Sequence, residues 1–259
     1  MSKMQFDIFS SWDPRPETPK ELGRRMLKNL DALRGLGPHF QDWWFMDHSR
    51  PALEMNRENF HEYLLPLDET MRGRMTEMVE LGVRRGDYGE PRPNGGYTIT
   101  ASNSVGNSPY YACLNAHGGG IVDPRAGYRM AEFRASTLSD SDPGIVSYPL
   151  FRTVLLSIIA AWDVRHAQAY SEALTTLWHE PSKLFLDLAW MTYLSPDLAE
   201  GVTPPGDVLV ETTAEGGLLM IAAEEIFDTA NPKHMAAARG ILEALADVNA
   251  AEEKKWQRL

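Results

Sequence analysis

The sequence predicts an α+β fold: a mainly antiparallel sheet of two hairpin-containing halves, with flanking helices and a buried central helix. Three observations carry this. Segments with a two-residue apolar period come in neighbouring pairs, Tyr97 to Ser102 with Tyr110 to His117 and Val208 to Thr213 with Leu218 to Glu225. Pairing of this kind marks hairpins, whereas a parallel sheet interposes a helix between successive strands. Two segments keep a 3.6-residue apolar period behind explicit N-caps, Thr18 and Asn231. Finally, Pro149 to Trp162 is apolar on nearly every face, the pattern of a helix covered on all sides.

In chain order, Gln5 to Ser10 is a short strand with Phe6 and Ile8 on one face. Thr18-Pro19-Lys20-Glu21 is a capping box with proline at the first helical position, and Leu22, Met26, Leu30 and Leu33 form the buried stripe of the helix that Gly35 or Gly37 ends. Trp43-Trp44-Phe45 follows, adjacent bulky residues that more often pin a loop to the core than form a recognition patch. Asp68 to Leu81 carries Met71, Met75 and Met78 as a second helical stripe. After the turn residues of Pro91 to Gly96, Tyr97, Ile99 and Ala101 alternate with Thr98, Thr100 and Ser102 as a half-buried strand. Gly106-Asn107 turns that strand into its partner, and Tyr128 to Ala135 is a third. Beyond the central helix, Leu184 to Met191 alternates as a further strand. Ala214-Glu215-Gly216-Gly217 closes the second hairpin, and Asn231-Pro232 starts a last helix with the stripe Met235, Ala238, Leu242, Leu245 and Val248.

Nothing in the 259 residues separates into domains; Thr203-Pro204-Pro205-Gly206 is loop-length, so 1–259 reads as one domain. Trp12-Asp13-Pro14-Arg15 and Trp162-Asp163-Val164-Arg165 look alike but have different flanks, a strand before one and a helix before the other, which argues against duplication. The start shows no cationic region leading into an apolar run, and Val154 to Trp162, the most apolar stretch, is under half of the ~20 residues that span a bilayer. The protein reads as soluble and cytoplasmic. Cys113 stands alone, which excludes an internal disulfide, and reads as a small apolar strand residue.

The formal charge is −11, and nine of the 36 acids lie between Asp187 and Asp228, a stretch without Lys, Arg or His. The rest of the chain is near balance, with 25 basic and 27 acidic groups. An acidic chain is a poor direct ligand for nucleic acid or an anionic membrane, both negative themselves, but suits a basic partner.

The catalytic motifs fail when tested. His117-Gly118-Gly119-Gly120 resembles an esterase oxyanion loop, yet no G-x-S-x-G nucleophile turn accompanies it. His61-Glu62 and His179-Glu180 begin like zincin helices, but Leu65 and Lys183 stand where the second histidine belongs. There is no P-loop, dinucleotide fingerprint or calcium loop. No catalytic residue, metal ligand or cofactor site is therefore expected. An unrecognised enzyme would have to use His117 or the carboxylates Asp13 and Asp163, and a scaffold subunit would have to expose Phe151 or Ile158 of the apolar helix.

The segment FDIFSSWDPRPETPKELGRRMLKNLDAL, with Trp12, Pro14-Arg15 and Glu17 ahead of an amphipathic helix, resembles the opening of the immunity protein 52 family. The likeness continues through Trp43-Trp44, Asn94-Gly95-Gly96-Tyr97, YPLFRTVLLSIIAAWD at 148–163, WMTYLSPDLA at 190–199, and PPGDVLVETTAEGGLLMIAAEEIFDTANPKHMAAARGILEAL at 204–245. It lapses over 46–90. The resemblance implies a bacterial protein encoded beside a polymorphic toxin, often one delivered by type VI or contact-dependent secretion. It implies binding in the cytoplasm to a toxin with a restriction-endonuclease-fold nuclease domain, and no catalysis. A nuclease holds phosphates on a basic surface, so an acidic inhibitor face gains encounter rate and fit. Glu211, Glu215, Glu224, Glu225 and Asp228, in or beside the second hairpin, are the expected toxin-binding residues; solubility alone is the competing explanation of their charge. Homo-oligomerisation stays open.

Overall fold

A computed structural model describes residues 4–13, 15–47, 50–54, 65–66, 97–103, 110–118, 130–137, 145–177 and 185–257. Its strands are β1 (Met4–Ser11), β2 (Trp44–Asp47), β3 (Arg50–Glu54), β4 (Leu65–Pro66), β5 (Tyr97–Ser102), β6 (Tyr110–Gly118), β7 (Met130–Thr137), β8 (His166–Ser171), β9 (Met191–Leu194), β10 (Leu209–Thr212) and β11 (Leu218–Ile221). They form one 11-stranded sheet in the order β10-β11-β9-β8-β1-β7-β6-β5-β2-β3, with β4 also paired to β5. Every pairing is antiparallel. The helices are α1 (Pro19–Arg34), α2 (Tyr148–Trp162), α3 (Glu172–Thr175), α4 (Pro196–Ala199), α5 (Pro232–Ala244) and α6 (Ala246–Gln257), with a 3-10 turn at Pro38–Phe40. The α+β class and both hairpins are as expected, and β1, the N-terminal strand of the chain, joins the two halves at the middle of the sheet.

Helix α1 forms as its cap requires: the Thr18 hydroxyl accepts from the Glu21 N–H while the Glu21 carboxylate accepts from the Thr18 N–H. Leu22, Met26, Leu30 and Leu33 are all buried. Helix α2 lies under the sheet centre, with Phe151 in edge-to-face contact with Phe6 of β1 and Phe133 of β7, at 5.7 and 5.9 Å. Asn29 of α1 donates to Ser157 and accepts from the Trp162 indole, which satisfies a fully buried amide between the two helices. Phe151 and Ile158 are 0% exposed, so α2 is core and the scaffold reading, which needs that helix as an interface, is corrected. Trp43 is likewise buried, its indole donating to the Phe40 carbonyl.

Successive strand residues face opposite sides, and Phe6 assigns one side to α2. On the other side Asp7, Glu132, Arg134 and Asn115 form a polar network over β1, β7 and β6. Toward the second half that side is closed by residues 185–187 and α6, whereas Trp190 packs on the α2 side against Phe6 and Phe151. There the expected strand Leu184 to Met191 is corrected: 185–190 are irregular, and the strand begins only at Met191. The reason is that side-chain amides take the backbone groups a neighbouring strand would have used. Gln168 exchanges two hydrogen bonds with the Asp187 backbone, and Asn249 of α6 does the same with Leu186. Strand β8, which no expectation covered, fills the ladder position instead.

The last helix is also corrected. It breaks at Leu245, whose N–H is shared between the carbonyls of Ile241 and Leu242, and α6 restarts at Ala246. The break buries Leu245 and turns Asn249 toward Leu186. The expected helix Asp68 to Leu81, the turn at Gly106-Asn107, and Gly119-Gly120 lie outside the described residues.

Candidate functional site

The two Trp-Asp-x-Arg tetrads, set aside as a repeat, meet in space. Trp12 leaves β1, Trp162 ends α2, and β1 pairs with β8 through Ser11 and His166. The two indoles stack at 5.0 Å and 13°. Each arginine then reaches the other tetrad's aspartate, Arg15 to Asp163 at 3.3 Å and Arg165 to Asp13 at 3.7 Å. Arg15, Arg25 and Lys28 donate to the carbonyls of Trp162, Ala161 and Ala160, so three cations occupy the negative end of α2. Asp163 closes that helix in the left-handed conformation, φ 50°. Glu17, 4% exposed, accepts from Arg25 at 2.7 Å. Both Asp13 and Asp163 are thus engaged by arginines. Together these contacts clamp the end of β1 to the end of α2.

His117 is half-buried at the end of β6, and burial pushes its pKa down to about 4. Its ring is neutral at physiological pH, with the Nδ1 atom buried and unpartnered. No group of three or more His, Cys, Asp or Glu side chains among the described residues is placed to hold a metal ion.

The acids of 187–228 separate into distinct environments. Asp187 is buried, its carboxylate accepting from the Leu188 N–H. Asp197 accepts from Ser195 and faces Arg165. Glu211 is not free: Arg152 of α2 grips it through two guanidinium nitrogens, and that bond holds the arginine pKa above its ordinary value. Glu225 accepts from His234 Nε2 at 2.8 Å, while His234 Nδ1 accepts from the Asp228 N–H at 3.1 Å. Those two bonds go with the tautomer that carries its proton on Nε2. Among the described residues Glu200, Asp207, Glu215, Glu224 and Asp228 are without an ion pair and exposed.

A cleft of about 530 Å³ gathers part of this set between the end of β11 and the first turns of α5. It is lined by Asp207, Glu224, Glu225, Lys233 and His234, with Ala222, Ala223, Ala236 and Ala237 between them. Of the five expected residues, Glu224 and Glu225 line the cleft and Asp228 adjoins it through His234. Glu211 and Glu215 stand apart on the β10–β11 hairpin. The tyrosines register the field of this face: burial first, then Glu211 and Glu224, raise the Tyr148 pKa, and burial with Glu215 and Asp197 raises that of Tyr193. Sequence reasoning missed Asp207, Lys233 and His234. The one available signal was the Asn231-Pro232 cap, which places Lys233 and His234 in the first turn of a helix that follows directly on the acids.

The described chain is thus an antiparallel α+β frame with an acidic cleft beside β11. The chain belongs to the immunity protein 52 family, which it matches over residues 7–251. Membership implies an immunity role with a toxin as the partner. A comparison with curated proteins finds no match. Among solved structures the chain is similar to the Pseudomonas aeruginosa T6SS protein PA0821, with 10% identity, a TM-score of 0.43, and coverage of 92% of this chain and 72% of that one. Among the described residues no helix is long and apolar enough to cross a membrane.

Proposed function

We propose that this chain, acting as one domain in the cytoplasm of the producing cell, binds and neutralises a nuclease toxin without catalysis of its own. The observation that carries the reading is the acidic face, with Asp207, Glu224 and Glu225 lining one cleft, Asp228 beside it, and Glu215 apart from it on the turn of the β10–β11 hairpin. A nuclease must expose cations where it holds phosphates, and the long-range field of such a face accelerates and orients the encounter. Glu211 serves this face differently from the others, since Arg152 already neutralises it; it holds the hairpin to α2.

The test uses the toxin domain encoded beside this gene. Co-expression should rescue cells from that domain, and rescue by an unrelated acidic protein would remove the claim of specificity. Glu224→Lys, Glu225→Lys and Asp228→Lys together are expected to slow association about tenfold or more at low salt. Unchanged association and protection would overturn the acidic-face reading. Competition by DNA or RNA for the toxin is the expected sign that the partner is a nuclease.

A further inference from the structure

We infer that the free edge of β10 receives a basic extended segment of the toxin as an added strand. This rests on the toxin-binding reading above and names the surface that would carry main-chain contact. Strand β10 ends the sheet order, and among the described residues it pairs with β11 alone. Its edge is identifiable group by group. The Ala222 N–H donates to the Trp190 carbonyl, so even-numbered residues of β11 bond toward β9 and Leu219 and Ile221 bond toward β10. Their partners Glu211 and Leu209 are therefore satisfied inside the ladder, consistent with the Thr213 N–H donating to the Gly217 carbonyl at the turn. Val210 and Thr212 are left with their N–H and C=O groups directed outward, four main-chain positions for a further strand.

Such edges are ordinarily blunted by lysine, proline, a bulge or a covering loop. Leu209-Val210-Glu211-Thr212 holds no lysine or proline, and the register runs unbroken over all four residues. Two of the three exposed large apolar side chains of the described residues are here, Leu209 at 37% and Val210 at 42% exposure, one on each side of the strand. The flanks decide the occupant. Asp207 precedes the strand, Glu215 caps its turn, and the whole stretch 187–228 contains no cation. A second copy docked edge to edge would set these acids against one another, which disfavours self-pairing. A strand rich in Lys or Arg meets complementary charge, two apolar side chains and open hydrogen-bonding groups, the combination that β-strand addition uses.

The experiment is amide hydrogen exchange on the wild-type protein, free and with the purified neighbouring toxin domain. The Val210 and Thr212 amides should exchange fast in the free protein and become protected in the complex, while Leu209 and Glu211 are protected in both. Val210→Pro removes one outward N–H without touching the internal ladder and should weaken toxin binding about tenfold; Val210→Thr, which keeps it, should bind normally. A complex that leaves Val210 and Thr212 exchanging as before overturns the edge inference while the toxin-binding reading stands. A toxin domain that does not bind the wild-type protein overturns both. If light scattering finds a dimer that Val210→Pro dissolves, the occupant is a second copy and the inference is wrong. Should Val210→Pro fail to fold, the exchange measurement on the wild-type complex decides.

Discussion

Arg165 shows how much rests on one side chain. Its guanidinium forms two parallel bonds to Glu252, at 2.8 and 2.6 Å, and reaches Asp13 and Asp197 at 3.7 Å, linking α6, the end of β1 and the start of α4. The Glu252 side chain is only 7% exposed, so removing the arginine takes two charge-assisted bonds from a buried carboxylate. Arg165→Met is expected to cost roughly 3–5 kcal/mol, and adding Glu252→Met should return most of it; thermal unfolding of both variants checks this. Its neighbour His166 titrates. Burial, and then Arg165, push its pKa down to about 3 from an ordinary 6.5. The unfolded chain takes up a proton near pH 6.5 that the folded protein refuses until about pH 3, so below 6.5 the unfolded state holds more protons. Stability is then full above pH 6.5 and falls as the pH drops, by about 1.4 kcal/mol per unit for this one group. His166→Phe keeps an aromatic ring against Phe9 and Phe185 and removes the titration. Urea unfolding between pH 7 and 4 should show a shallower acid limb for it; the same limb in both proteins would refute the assignment.

At the scale of elements, legibility in the sequence follows locality. Helix α1 was readable from its cap to a stop at Gly35 or Gly37, of which the structure uses Gly35, because cap, stripe and stop are all local in the chain. Strand β8 was not, since His166-Ala167-Gln168-Ala169 has small residues on one side and polar ones on the other. It is a strand because β1 and β9 lie on either side of it. Residues 185–190 alternate like a strand and are none, because Gln168 and Asn249, distant in sequence, bind their backbone first. Two element-scale predictions follow the packing. Ile158→Ala in α2 should cost about 2–5 kcal/mol as a cavity in the core, leaving the oligomeric state by light scattering as in the wild type. Gly217→Ala places a methyl group 2.4 Å from the Tyr193 ring and 2.5 Å from the Leu194 carbonyl, so β11 and β9 must separate. Its expected cost is about 1–3 kcal/mol in urea unfolding, with loss of exchange protection concentrated in the pairing of β9 with β11.

For the whole molecule, charge and sheet act together. The sheet gathers acids spread over 187–228 onto one end, while Arg152 and Arg165, both from outside that stretch, neutralise Glu211 and face Asp197. Association with a basic partner should therefore lose rate steeply between 10 mM and 150 mM salt, as the screening length shortens from about 30 to 8 Å, with dissociation changing far less. Stopped-flow mixing at several salt concentrations measures both. A rate indifferent to salt would mean that the excess acid serves solubility alone.

Read alone, the chain specified its class, both hairpins, the capped first helix, the buried central helix and the concentration of negative charge. These depend on residues near one another in sequence, where periodicity, caps and turns act. Only the tertiary structure decided which acids stand unpaired, that the two Trp-Asp-x-Arg tetrads lock to each other, and that β10 ends the sheet with Val210 and Thr212 facing outward. Ion pairs, side-chain bonds to backbone and strand order join residues tens to more than a hundred positions apart. No local pattern encodes which partner reaches a group first, and that competition is settled by packing.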